Sequence, residues 1–205
     1  MITADTSCRI LEVDPLFTCT DLPQAVVIRR LKALHFPDAK YWLDPTFGGG
    51  GFYPNEADLP TVGGDYLHER TLDVVLNYHH LPFGDAVFDL TVFDPPFQPQ
   101  TVPGKIGVRF TKVDGGMFVL KQSVIAGLLE CRRVSRIGVI VKVQDYIHSH
   151  RPVWMSAWVH EALGEPYDFC MVRQKSKMRA ENWTTQRSVW RNHSTFWVYR
   201  WKSIR

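Results

Sequence analysis

Four consecutive residues, Asp94-Pro95-Pro96-Phe97, carry the most specific chemistry in this chain. They follow the run Phe88-Asp89-Leu90-Thr91-Val92-Phe93, which reads as a buried strand. At a strand's carboxyl end, an acid, two prolines and an aromatic ring form a rigid cup. The prolines fix φ and remove N–H donors, so the backbone carbonyls meet no competing donor there, and the ring offers a flat face. Asp94 adds one acceptor side chain. Such a cup suits a planar ring bearing an exocyclic amine, as a nucleobase does. The same residues also read as a strand-ending turn.

A second group lies upstream. Asp44-Pro45-Thr46-Phe47 leads into four glycines, Gly48 to Gly51, which permit a tight turn and close approach of a ligand to the backbone. Asp65 comes 21 residues after Asp44, about where an acid is needed to accept both hydroxyls of a ribose. A glycine loop of this kind serves nicotinamide and flavin ligands as well. The dinucleotide spacing Gly-x-Gly-x-x-Gly is not met, because Phe52 and Tyr53 follow the glycines, and no Gly-Lys-Ser/Thr phosphate loop is present.

These groups need a scaffold that brings strand ends together. Apolar strand-like runs alternate with helical patterns, which predicts an α/β sheet with crossover helices. A helix is expected over Leu22 to Leu34, capped by Asp21 and opened by Pro23. Strands are expected at Tyr41–Leu43, Thr61–Gly64, Val74–Leu76, Phe88–Phe93 and Ile137–Val143, the last as a continuous apolar, fully buried run. Helices are expected over Phe118–Cys131 and Val153–Leu163, the second stopped by Gly164. Two final strands, Tyr167–Val172 and Thr195–Trp201, flank an excursion of about twenty residues, longer than ordinary connections. A second irregular segment runs from Gln98 to Gly116. Both excursions belong beside strand ends, where open α/β sheets bind ligands.

Composition bounds the partners. The 205 residues fit one domain with a real core, and no run approaches a membrane span or a signal peptide. Cys8, Cys19, Cys131 and Cys170 lack Cys-x-x-Cys spacing, which predicts reduced thiols in a cytoplasmic protein. The net charge is only +3, but its distribution is uneven. Arg173, Lys175, Lys177, Arg179, Arg187 and Arg191 stand against a lone Glu181, with Trp183 and Trp190 among them; Lys105 and Arg109 lie in the other excursion. Basic and aromatic residues interleaved in this way suit a nucleic-acid surface. His79-His80 and His148-Ser149-His150 lack a third ligand at plausible spacing, so no metal site is expected. Trp154, Trp158 and Trp201 are read as core.

The order of the two motifs resembles a known family. Asp-Pro-x-x-Gly-x-Gly after the first strand, then Leu81-Pro82-Phe83 to Phe88-Asp89 and Asp94-Pro95-Pro96-Phe97, are similar to the signatures of S-adenosylmethionine-dependent amino-methyltransferases of nucleic acids. The likeness covers residues 41 to 97 and extends more weakly to Asn192-His193-Ser194-Thr195-Phe196-Trp197. It implies a Rossmann-like methyltransferase sheet, mostly parallel with an antiparallel C-terminal hairpin and helices on both faces. It further implies a single domain over residues 1–205, with recognition or lid loops at about 98–116 and 173–192.

Carried onto this sequence, the resemblance places S-adenosylmethionine against Asp44, Pro45, Phe47, Gly48, Gly50 and Asp65. Asn77 stands where the family has an aspartate for the adenine amine. The acceptor falls to Asp94, Pro95, Pro96 and Phe97, and nucleic acid to the basic residues named above. Adenine N6 in DNA is the target the Asp-first tetrapeptide favours. Cytosine N4, an RNA base (adenine N6 or guanine N2) and a non-catalytic binding subunit are the alternatives. So short a chain leaves little room for a target-recognition domain, which admits a partner subunit.

Overall fold

The computed structural model describes residues 15–66, 73–97, 116–173 and 192–201. The strands are β1 (Cys19–Thr20), β2 (Trp42–Asp44), β3 (Val62–Asp65), β4 (Val74–Val75), β5 (Phe88–Phe93), β6 (Ser135–Val143), β7 (Tyr146–His148), β8 (Arg151–Val153), β9 (Asp168–Arg173) and β10 (His193–Arg200). The helices are α1 (Gln24–His35), α2 (Gly116–Val134) and α3 (Met155–Leu163), with one 3-10 turn at Glu56–Asp58. Among the described residues no helix is long and apolar enough to cross a membrane.

Eight strands form one sheet in the order β1-β9-β10-β6-β5-β2-β3-β4, and β7 pairs with β8 separately. Every neighbouring pair of the large sheet is parallel except those made by β10, which runs against both β6 and β9. The carboxyl ends of β2, β3, β5 and β6 therefore share one edge. Asp44, Asp65 and Asp94 all stand at that edge because each closes or follows one of these strands.

Side chains alternate across the sheet with the period of two that a strand imposes. Leu90 and Val92 of β5, Ile140 of β6 and Phe196 and Val198 of β10 face α1, where Val27, Ile28 and Leu31 cover them. Phe93, Val139, Val141 and Tyr199 face α2 and α3 with Leu120, Val124, Leu128, Met155 and Val159. Phe88 joins this second face because the β5–β6 register shifts between Phe88 and Leu90. Each such buried apolar side chain contributes about 1.5–3 kcal/mol.

Polar anchors fix the entries to the central strands. The Asp89 carboxylate, on β5, accepts the N–H groups of Lys40 (2.9 Å) and Tyr41 (3.0 Å) just before β2, and also pairs with Arg136. Arg133, at the end of α2, donates to the carbonyls of Leu81 and Phe83 and to Asp85 and Glu130. The Leu81–Asp85 segment is thus tied down ahead of β5.

Several boundaries depart from the sequence reading. Helix α1 begins at Gln24 with Pro23 as its cap residue and no side-chain capping bond; Asp21 instead pairs with Arg173 of β9. Strand β8 takes Val153, so α3 begins two residues later than expected. The β7–β8 hairpin and the two-residue β1 were not anticipated. Trp158 and Trp201 pack against the core, whereas Trp154 is 58% exposed and does not.

Candidate active site

The glycine loop is built on a buried acid. Asp44 is fully buried at the end of β2. Its Oδ1 accepts the Thr46 backbone N–H (2.8 Å) and hydroxyl (3.0 Å), and its Oδ2 accepts the Tyr53 hydroxyl (2.6 Å). Burial outweighs these bonds and pushes the Asp44 pKa up to about 7. The Phe47 ring turns inward and stacks on Tyr53, with centroids 5.5 Å apart and planes at 17°. It packs so closely under β3 that a Cβ on Gly63 would lie 2.8 Å from it. Phe47 is thus a core residue whose edge reaches the site.

Gly48 and Gly50 adopt φ of +55° and +69°, the left-handed region that glycine enters without strain. The turn they make directs the Gly48 N–H to Asp65 Oδ2 at 2.9 Å, while Asp65 Oδ1 accepts the Tyr66 N–H at 2.6 Å. The loop is therefore tied to the end of β3 by the acid that the sequence spacing singled out.

The cup follows β5, and Thr46 links it to the loop. Its Oγ1 donates to Asp44 and accepts the Asp94 backbone N–H at 2.8 Å. The Asp94 side chain is engaged on one side only. Its Oδ2 pairs with the Lys142 ammonium at 2.8 Å, while its Oδ1 is buried with no hydrogen-bond partner. Burial pushes the Asp94 pKa up, and Lys142 pulls it back down. Lys142, buried on β6, also lies 5.0 Å from the ring centroid of Phe52 and 4.9 Å from that of Phe97, within cation–π range.

These parts enclose a cavity of about 320 Å³. Thr46, Phe47, Gly48, Gly51 and Phe52 line it from the loop, Asp65 and Tyr78 from the β3–β4 side, Gln24 from α1, and Asp94, Pro95, Pro96 and Phe97 from the cup. The structure thus joins the two motifs in one site. Asp44, Pro45, Gly50 and Asn77 do not line the cavity. Asp44 supports the loop from behind. Asn77 follows β4 and its Oδ1 accepts the His79 N–H (3.0 Å), while its neighbour Tyr78 reaches the cavity. A larger cleft of about 650 Å³ lies between α1 and residues 52–58 and shares only Phe52 with the site.

Of the basic residues, Arg173 is described: it ends β9, and its Nε donates to Asp21 Oδ1 at 2.7 Å. Lys105, Arg109, Lys175, Lys177, Arg179, Arg187 and Arg191, with Trp183 and Trp190, lie outside the described residues. Gln24, Thr46, Phe52, Tyr78 and Lys142 escaped the sequence reading. Lys142 had a signal, as the one charged residue between Ile137 and Val143 in a strand read as apolar throughout.

No family model matches the chain, and no curated protein matches it in sequence. Solved structures do match. A Thermoplasma acidophilum protein superposes with a TM-score of 0.53 at 10% identity, covering 86% of this chain and 87% of its own. A Bacillus halodurans protein with a provisional assignment as a methyltransferase gives 0.52 at 12% identity, covering 86% and 97%. The chain has a Rossmann-like methyltransferase fold. A third neighbour, an S-adenosylmethionine-dependent methyltransferase of Archaeoglobus fulgidus, gives 0.49 at 13% identity and covers 86% and 94%.

Proposed function

We propose that this chain is an S-adenosylmethionine-dependent methyltransferase acting on the exocyclic amine of an extruded nucleobase, with adenine N6 in DNA as the favoured target. One observation carries the reading. Asp94 keeps an unpartnered Oδ1 in a cup with Pro95, Pro96 and Phe97, in the same cavity as the glycine loop and Asp65.

The residues present fit the cofactor. Gly48 and Gly51 line the cavity without side chains to obstruct it. The Asp65 carboxylate lines the cavity at the end of β3, beside the Gly48 and Tyr66 N–H groups it accepts, which sets an acid where ribose hydroxyls would be met. When bound, the cofactor supplies an electrophilic methyl group on a sulfonium. The chain's own residues make the amine able to receive it. An aryl amine shares its lone pair with its ring and is a poor nucleophile. Acceptors at Asp94 Oδ1 and the Pro95 carbonyl favour a tetrahedral nitrogen whose lone pair is free, and Phe97 holds the ring by stacking. Positioning supplies much of the rate. A base inside a duplex cannot reach this cup and must be extruded.

The flanks of the two excursions support recognition by residues 98–116 and 173–192. Phe97 and Gly116 bound the first, Arg173 and Asn192 the second, and strands β5, β9 and β10 bring these flanks to the carboxyl edge. Lys105, Arg109, Arg173, Lys175, Lys177, Arg179, Arg187 and Arg191 would then meet phosphates, which fix register rather than sequence. A partner subunit would supply the rest of the recognition surface.

The test is mass spectrometry of nucleosides from DNA and from RNA, each incubated with protein and S-adenosylmethionine. The expected product is N6-methyldeoxyadenosine; a methylated ribonucleoside or N4-methyldeoxycytidine would redirect the target, and no product from either polymer would overturn the reading. Asp94→Ala is expected to lower the rate by about 100-fold or more, the scale of losing one preorganised transition-state contact. An unchanged rate would remove the cup from the chemistry.

A further inference from the structure

We propose that Lys142 is the positioning residue of this site, holding Asp94 as a charged acceptor by occupying Oδ2 and leaving the buried Oδ1 unpartnered, and fixing the Phe97 ring beside the incoming base. The proposal rests on the reading that Asp94 receives the target amine. Three observations carry it. The ammonium claims Oδ2 at 2.8 Å and leaves Oδ1 without a partner. Its Nζ stands 4.9 Å from the centroid of Phe97, which packs against the core and lines the cavity. The Lys142 side chain is only 8% exposed, within a strand whose neighbours are apolar.

A buried ion pair is a poor device for stability, since well-packed apolar residues do as well or better in its place. Lys142 is therefore better explained by what it does to Asp94 than by what it adds to the sheet. The carboxylate without its partner would be driven toward the neutral form by burial. A neutral carboxyl places a proton on one oxygen, which then donates where an amine hydrogen must be accepted. Among the described residues, the groups facing Asp94 are Lys142 on β6, Asp44 at the end of β2 and the Tyr53 phenol beyond it, with Asp65 of β3 lining the same cavity. Of these only Lys142 is cationic. Its removal takes away the one cation among these described groups and leaves burial unopposed.

The experiment has one arm independent of turnover. Carbon-13 NMR of aspartate-labelled protein, with the Asp94 signal assigned by its loss in Asp94→Asn, follows the carboxyl group through pH. In Lys142→Met its midpoint is expected to rise by about two pH units relative to the native chain, the usual effect of losing an adjacent opposite charge. Lys142→Arg is expected to keep the midpoint near its native value. If Lys142→Met does not fold, Lys142→Gln removes the charge while retaining length and a polar end. In single-turnover methylation, the acidic limb of the rate profile is expected to move up with the midpoint, with cofactor affinity little changed. Lys142→Met added to Asp94→Asn should slow the reaction no further. A midpoint that stays in place overturns the proposal, whatever the protein methylates. A midpoint that moves while no polymer is methylated overturns the proposed function and leaves the charge pairing established.

Discussion

Asp44 holds a proton that its surroundings make hard to release. A carboxyl in the unfolded chain titrates near 4, whereas burial lifts Asp44 to about 7 in the fold. The folded state therefore binds a proton that the unfolded state gives up over that interval. Its contribution to stability is fully present below about pH 4 and is lost as pH rises through about 7. Asp94, also raised by burial, acts in the same sense. An amide in place of the Asp44 carboxyl would mimic the protonated acid, accepting from Thr46 and donating to Tyr53. Asp44→Asn is thus expected to flatten the fall in unfolding free energy between pH 5 and pH 8 by roughly 1–4 kcal/mol, measured by urea titration. An unchanged slope would show that the acid is ionised in the fold. At this scale the sequence was legible where residue type marks a strand end: Gly48, Asp65 and Asp94 line one cavity beside the ends of β2, β3 and β5. Thr46, Tyr53 and Lys142 were not legible in that sense, because each acquires its meaning only from a partner on another element.

Strands and helices fix how far these groups stand apart, and Gly138 shows how tightly. It lies on β6 opposite Arg200 of β10, and a Cβ there would be driven against the Tyr199 carbonyl and lie 2.6 Å from the Phe36 ring. Backbone on one side and a fully packed ring on the other leave little room to yield. Gly138→Ala is expected to cost roughly 2–3 kcal/mol and lower Tm by about 4–10 °C in a scan of thermal unfolding. An unaltered Tm would mean that β6 and β10 are not so closely apposed. The longer elements were readable from the sequence because burial writes itself as periodicity, and β5 was bounded as Phe88–Phe93. The β7–β8 hairpin was not. Its turn uses Ser149 and His150 at φ of +48° and +63°, where Asn-Gly would have announced a two-residue connection. Pro152 within β8 disguised the strand further.

At the scale of the whole molecule, the parallel strands deliver the glycine loop and the Asp94–Phe97 cup to one edge from segments about fifty residues apart. The Thr46 hydroxyl then joins them, standing between the Asp44 carboxyl group and the Asp94 amide. The strand order itself was not legible in the sequence, since periodicity marks strands without ordering them; β10 enters between β6 and β9 although it comes last in the chain. The Thr46 bridge has a thermodynamic consequence. Two sites that share a rigid link cannot be ordered independently, so filling one lowers the entropy lost on filling the other, and linkage requires the benefit to be equal in both directions. Calorimetry with S-adenosylhomocysteine and an adenine-containing oligonucleotide is expected to give synergy of about 1–2 kcal/mol in either order of addition. In Thr46→Val, which keeps the shape and removes the hydroxyl, each ligand should still bind alone while that mutual reinforcement is lost. Equal synergy in the variant would mean that the two halves communicate by another route.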